Sequence, residues 1–341
     1  MEWEQVTKVF KALLFSPIVG FIGAALLFVL FKVALRDPRL YEAPKGAAPP
    51  PFYIRALLVL TCTGVSFAHG SNDGQKGMGL IMLILVGTVP TAYALNHAVS
   101  ASQVETFVAV SHEVQDTISH YVDPNAVISD AQPELENFVS KHQFTPNTML
   151  ALRQTVNDIQ NEVTRYGTLS KVPSEMQANV RNQMYLVSET MRLVPKYGPK
   201  LSDDDKKVFA NYKTFLDRYT KFIPSWVKVA VALALGLGTM VGWKRIIVTV
   251  GEKIGKTHLT YAQGASAELV AMCTILAADN YGLPVSTTHV LSSGIAGTMA
   301  ANKSGLQTST LRDIALAWVF TLPAAAVLSG VLYWLFNLLA T

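Results

Sequence analysis

The sequence predicts an all-α integral membrane protein: a transmembrane helix bundle with discontinuous or re-entrant helices, interrupted by a helical soluble insert. Three observations carry this. Half of the 341 residues are hydrophobic and only 15% are charged, with a mean hydropathy of +0.29, outside the composition usual for soluble domains. Apolar stretches of crossing or near-crossing length recur, several of them short and interrupted by Gly or Pro. Between them, one long segment switches to charged residues at helical spacing. The expected organisation is membrane helices over 1–96, the insert over 97–225 and membrane helices over 226–341.

The first element runs from Leu13 to Leu35 and contains one charge, Lys32. About 20 apolar residues suffice to cross a bilayer, and the stretch lacks the shorter core and small-residue cleavage site of a secretory signal peptide. Tyr41 to Phe52, rich in proline, reads as a stiff extended linker. Apolar segments 53–69 and 77–96 follow, separated by Ser66–Gly79, whose glycines let the chain unwind; the alternative is an interfacial loop. A helix over the 44 residues of 53–96 would reach ~66 Å, so the region is tilted and broken, projects beyond the bilayer, or forms two passes. Segments 226–243, 259–278, 286–301 and 313–338 complete the apolar set.

The net charge of +4 resides in the membrane portion. Residues 97–224 hold 13 Lys and Arg against 15 Asp and Glu, and the remainder 15 basic against 9 acidic residues. This is not a nucleic-acid signal. Arg36, Arg39, Lys45 and Arg55 flank one loop and Lys244, Arg245, Lys253 and Lys256 another, and the positive-inside rule places both in the cytoplasm. A single crossing by 53–96 then puts the insert outside; two passes reverse it.

From Ser100 to Phe222, apolar residues recur three and four apart, as in amphipathic helices of a small bundle. Pro124, Pro133, Pro146, Pro173, Pro195 and Pro199 divide it into four to six helices. His97, His112, His120 and His142 form no metal-ligand pattern, so no metal is expected. Asp203-Asp-Asp-Lys-Lys reads as a solvated turn or helix start. Cys62 and Cys273 lie in apolar segments and imply no disulfide framework.

The chemistry lies in the membrane portion. In Gly282-Leu-Pro-Val-Ser-Thr-Thr-His, Pro284 ends the preceding helix, and Ser286, Thr287 and Thr288 cap the next. Free N–H groups and the helix dipole there suit an anion, with phosphate a usual guest; the alternative is an ordinary cap with hydroxyls bonded to the previous turn. Ser71, Asn72 and Asp73 put a carboxylate at membrane depth, where charge is costly and marks function. Asp73 requires a proton, a metal cation or Lys76 to neutralise it. An acid beside anion donors is what ion-coupled symport needs. Gln263, Ser266 and Glu268 lie among small residues that permit close helix approach; Glu268 either binds Na⁺ or a proton, or bridges helices. Asp279 and Asn280 read as a turn. His289 is a proton shuttle or a packed core histidine. No nucleophile elbow or metal-ligand cluster points to an enzyme.

Ala68-His-Gly-Ser-Asn-Asp-Gly-Gln-Lys-Gly-Met-Gly and Gly251-Glu-Lys-Ile-Gly-Lys-Thr-His-Leu-Thr-Tyr-Ala-Gln-Gly-Ala-Ser-Ala-Glu, continuing through Leu283-Pro-Val-Ser-Thr-Thr-His-Val-Leu-Ser-Ser-Gly, resemble signatures of the PiT family of inorganic phosphate transporters. The chain is similar to its bacterial low-affinity Pit symporters over nearly its whole length. The resemblance implies multi-pass insertion in the bacterial inner membrane and symport of phosphate, or of a divalent metal-phosphate complex, coupled to H⁺ or Na⁺. No further cofactor is implied. The Asn-Asp signature falls on Asn72 and Asp73, the phosphate-binding helix start on Ser286, Thr287 and Thr288, and polar positions of the preceding helix on Gln263 and Glu268. Ser286, Thr287, Thr288 and Asn72 are therefore expected to bind phosphate, Asp73, Glu268 and Gln263 to serve the coupling ion, and His289 to shuttle protons. The family form Gly-Ala-Asn-Asp reads Gly-Ser-Asn-Asp here. Family members combine two inverted halves, and each signature is found once here, so the chain is expected to be the C-terminal half of an inverted-repeat transporter. Its expected partners are phosphate, the lipid bilayer and an N-terminal half or second subunit. A membrane-anchored phosphate-binding or signalling protein without transport is the alternative reading.

Overall fold

Helices account for every extended element in the computed structural model, which describes residues 3–44, 49–96, 101–123, 126–283 and 285–340. Lys45, His97, Ser100, Pro124 and Pro284 lie outside the described residues. In chain order the helices are α1 (Trp3–Ala34), α2 (Phe52–Thr88), α3 (Pro90–Tyr93), α4 (Ala101–Ser119), α5 (Gln132–Lys141), α6 (Pro146–Tyr166), α7 (Ser174–Tyr197), α8 (Asp203–Thr220), α9 (Ser225–Met240), α10 (Trp243–Glu252), α11 (Tyr261–Asn280), α12 (Thr287–Ala301) and α13 (Thr308–Ala340). Among the described residues, three helices are long and apolar enough to cross a membrane, Val6–Ala34, Phe52–Thr88 and Thr308–Leu338, and the pair α8 and α9, bent by 74°, passes the same test only when taken together. At ~1.5 Å per residue, α9 with 16 residues and α12 with 15 rise only about 24 and 22 Å, short of a ~30 Å hydrocarbon core.

The expected break at Ser66–Gly79 does not occur: α2 runs unbroken for 37 residues. Glycine inside a helix costs about 1 kcal/mol relative to alanine. In lipid, however, no water replaces an opened backbone hydrogen bond, and each unsatisfied group costs several times that. Closed i→i−4 bonds therefore prevail over glycine's freedom. A continuous α2 allows one crossing and removes the two-pass alternative.

The chain divides into two units, residues 1–76 with 230–341, and residues 77–229. In the first, α1, α11 and α12 pack against one another. Small residues make the approach close: Gly294 lies against Ala24 and Ala267, and a Cβ placed on Gly20 or Gly297 would strike the carbonyl of Val290 or of Phe21. This is the small-residue packing by which membrane helices meet without a hydrophobic driving force. Ala24, Ala267, Ile295 and Met299 form one core, and Ala68, Ala271, Ile275 and Val290 a second.

The second unit holds α4 to α8, five helices among the described residues, each of ten residues or more. Pro133 and Pro146 sit in the first turns of α5 and α6, and Pro173 caps α7, where a missing N–H costs nothing. Pro195, by contrast, lies inside the last turn of α7. Asp203, Asp204 and Asp205 open α8 behind the Ser202 cap, a helix start favoured by the dipole. Phe107 stacks on Tyr212 and meets Tyr219 edge-on within a core that includes Leu135, Phe138 and Leu152. Burial raises the Tyr219 phenol to about 12. Although burial pushes Asp217 upward, hydrogen bonds from Lys213, Ser188 and Lys221 hold it below its ordinary value.

Candidate functional site

Positions 69, 72, 73 and 76 recur at intervals of three and four, so they form one polar face of α2. The structure turns this face toward the end of α11 and the start of α12. The Lys76 ammonium lies 3.1 Å from Asp73 Oδ1, donates to the Val285 carbonyl at 3.1 Å and bonds the Asn72 carbonyl oxygen. The buried Asn72 amide donates in turn to the Asp279 carboxylate. His69 Nδ1 lies 2.7 Å from Thr287 Oγ1 and 3.5 Å from Asp73 Oδ2. One connected chain of polar groups thus runs from the first turn of α12 to the last turn of α11 by way of α2.

Ser286 is the N-cap of α12, its hydroxyl accepting from His289 N–H at 3.4 Å. A cavity of about 490 Å³ opens beside this turn, lined by Ser286, Thr288, His289 and Trp318 and by Arg245 of α10. The His289 ring rests on Trp318 with centroids 4.3 Å apart, and its buried Nδ1 has no hydrogen-bond partner among the described residues. Ser286, Thr288, the start of α12 and Arg245 therefore border one space, whose lining also includes the apolar Ile246, Val250, Ile314 and Ala317; hydroxyls at a helix N-terminus suit an oxyanion.

Glu268 lies elsewhere, accepting from the buried Thr61 hydroxyl at 2.5 Å. Gln263 is also separate. It forms a capping box with Thr260, its Oε1 accepting the Thr260 N–H at 2.9 Å, while its Nε2 donates to the Thr298 carbonyl at 3.3 Å. Thr298 stands 11 residues beyond Thr287, about 16 Å along α12. The structure thus joins Asn72, Asp73 and Thr287, sets Ser286, Thr288 and His289 beside a common cavity, and leaves Glu268 and Gln263 outside both groups. Sequence reasoning missed His69, Thr61 and Arg245 and read Asp279 as part of a turn. The spacing of His69, Asn72, Asp73 and Lys76 was the available signal for the first; the others come from distant segments.

Fold and site define an all-α membrane protein with a charge-bearing polar cluster where three helices meet. The chain belongs to the Phosphate transporter family, whose profile matches residues 1–329. It is 37% identical over 352 residues to the low-affinity inorganic phosphate transporter PitA of Escherichia coli K12 and 38% over 353 residues to PitB of the same strain, each alignment covering 97% of this chain and 69% of the relative. A probable low-affinity inorganic phosphate transporter of Bacillus subtilis is 42% identical over 118 residues, 34% of this chain and 35% of that protein. No solved structure matches the chain.

Proposed function

We propose that the chain carries out proton-coupled symport of inorganic phosphate, free or as a divalent metal-phosphate complex, as a multi-pass protein of the bacterial inner membrane. The observation that carries the reading is the Ser286–Thr288 turn with Arg245 and the Lys76–Asp73–His69 face around it, in a chain whose relatives are named inorganic phosphate transporters. Ser286, Thr287 and Thr288 donate to phosphate oxygens together with the first-turn amides, and Arg245 supplies counter-charge. Asn72 orients the substrate side of α2. Lys76 pairs with the Asp73 carboxylate, so a coupling proton that binds Asp73 must displace it. Asp73 and Glu268 bind that proton at different stages and His289 passes it on. Gln263 serves the coupling site indirectly, through the helix ends it fixes.

A second repeat completes the central site, because alternating access needs one repeat to move against another. Radiolabelled phosphate uptake tests this in cells lacking phosphate transport, expressing the chain alone or with the first half of a related transporter. Uptake only in the paired cells is the expected result. Uptake by the chain alone removes the requirement for a partner. Phosphate binding without flux in both would replace transport with a membrane-anchored binding role.

A further inference from the structure

His69 touches both the first turn of α12 and the charged face of α2. Its Nδ1 is 2.7 Å from Thr287 Oγ1 and 3.5 Å from Asp73 Oδ2. The charged groups facing it are Asp73 and Lys76 on its own helix and, beyond Asn72, Asp279 on α11; α12 presents the Thr287 hydroxyl. A separation of 2.7 Å lies within the range of either an O–H or an N–H donor, so the roles follow the ring tautomer. With the ring proton on Nε2, Thr287 donates and a bare Nδ1 accepts. Asp73 makes a poor rival for a proton on Nδ1, since 3.5 Å is long for a hydrogen bond and Lys76 holds its other oxygen at 3.1 Å.

A hydroxyl has one proton to give. While Thr287 gives it to His69, it shows only lone pairs to an anion in front of α12, and these repel a phosphate oxygen. Adding a proton to Nδ1 reverses the bond. The ring becomes a donor, to Thr287 Oγ1 or to Asp73, and the Thr287 O–H is released in either case. We propose that His69 ties proton binding to phosphate binding: protonation of its Nδ1 frees the Thr287 hydroxyl to donate to a phosphate oxygen. His69 is thus a positioning residue that acts through Thr287. The inference rests on the reading of the α12 start as the phosphate site, and imidazole is the side chain suited to such a role between about pH 5 and 8.

The test is equilibrium binding of radiolabelled inorganic phosphate to the full chain in lipid nanodiscs, from pH 5.5 to 8, for the wild type and Thr287→Val. The ionisation of phosphate itself is common to both proteins and cancels in the ratio of their Kd values. The deficit of Thr287→Val against the wild type should shrink from about tenfold at pH 5.5, the loss expected for one hydrogen bond to a charged group, to none at pH 8. A deficit constant across this range overturns the inference and leaves the phosphate site standing. Absence of binding by the wild type at any pH overturns the site reading and the inference with it. Should Thr287→Val fail to fold, His69→Arg decides: a guanidinium has donors only and keeps its charge, so the two should bind alike at pH 5.5 and the wild type about tenfold more weakly at pH 8, and a constant ratio refutes the switch.

Discussion

Lys76 meets Asp73, Asn72 and the Val285 carbonyl together, so the charge of Asp73 has an assigned counter-charge and any change to it is felt across three helices. Asp73→Asn keeps the shape and removes the charge; phosphate uptake in cells that also express the first half of a related transporter should fall at least tenfold, the scale of a lost charged hydrogen bond, with membrane expression unchanged by immunoblot. In the second unit, Asp217 accepts from the buried Ser188 hydroxyl at 2.6 Å and lies 3.0 Å from Lys221. Its folded value is depressed below the ordinary 3.8, so its stabilising contribution is complete above about pH 4 and fades as the pH falls through the folded value. Asp217→Ala strands Ser188 and should cost about 1–3 kcal/mol. Amide exchange in α7 and α8 should accelerate accordingly at pH 6, with the difference from wild type narrowing near pH 3.

Helix ends were the best-read elements. Ser286 caps α12 as its sequence implies, and α1 and α13 cover the long apolar stretches. Glycine punctuation misled at α2 because its usual meaning assumes water at the backbone. The i, i+3 relation of Gln263 to Thr260 already held a capping box. What no local pattern could show is the pairing of Asn72 with Asp279, or of Thr61 with Glu268, each 207 residues apart. The α1–α12 contact makes its own prediction. Gly297→Ala forces a methyl onto the Phe21 carbonyl, and overpacking of this kind typically costs 1–3 kcal/mol, about as much as a core cavity. The melting temperature in detergent should drop by several degrees, whereas Gly236→Ala, inside α9 with open space around its Cβ position, should raise it slightly, by the helix preference of alanine over glycine.

For the whole molecule, a single crossing by the unbroken α2 together with the positive-inside rule predicts a sidedness. With native Cys62 and Cys273 replaced by Ala, a cysteine at Lys256 should react with a membrane-impermeant maleimide only after the cytoplasmic face is opened, and one at Asp130 in intact spheroplasts. The reverse labelling would contradict the single crossing of α2. The brevity of α12 has a further consequence. A helix rising about 22 Å cannot reach both faces of a ~30 Å hydrocarbon slab, so an anion held at its first turn, when its far end sits at an interface, has already travelled through part of the membrane's electric field. A full crossing is worth about 2.3 kcal/mol per elementary charge at 100 mV; a guest about 22 Å deep in a ~30 Å slab has crossed about three-quarters of that from one face or about one-quarter from the other. Occupancy of the Ser286 turn would then respond to voltage as well as to concentration, and the cell's resting potential would act on this site as a ligand does.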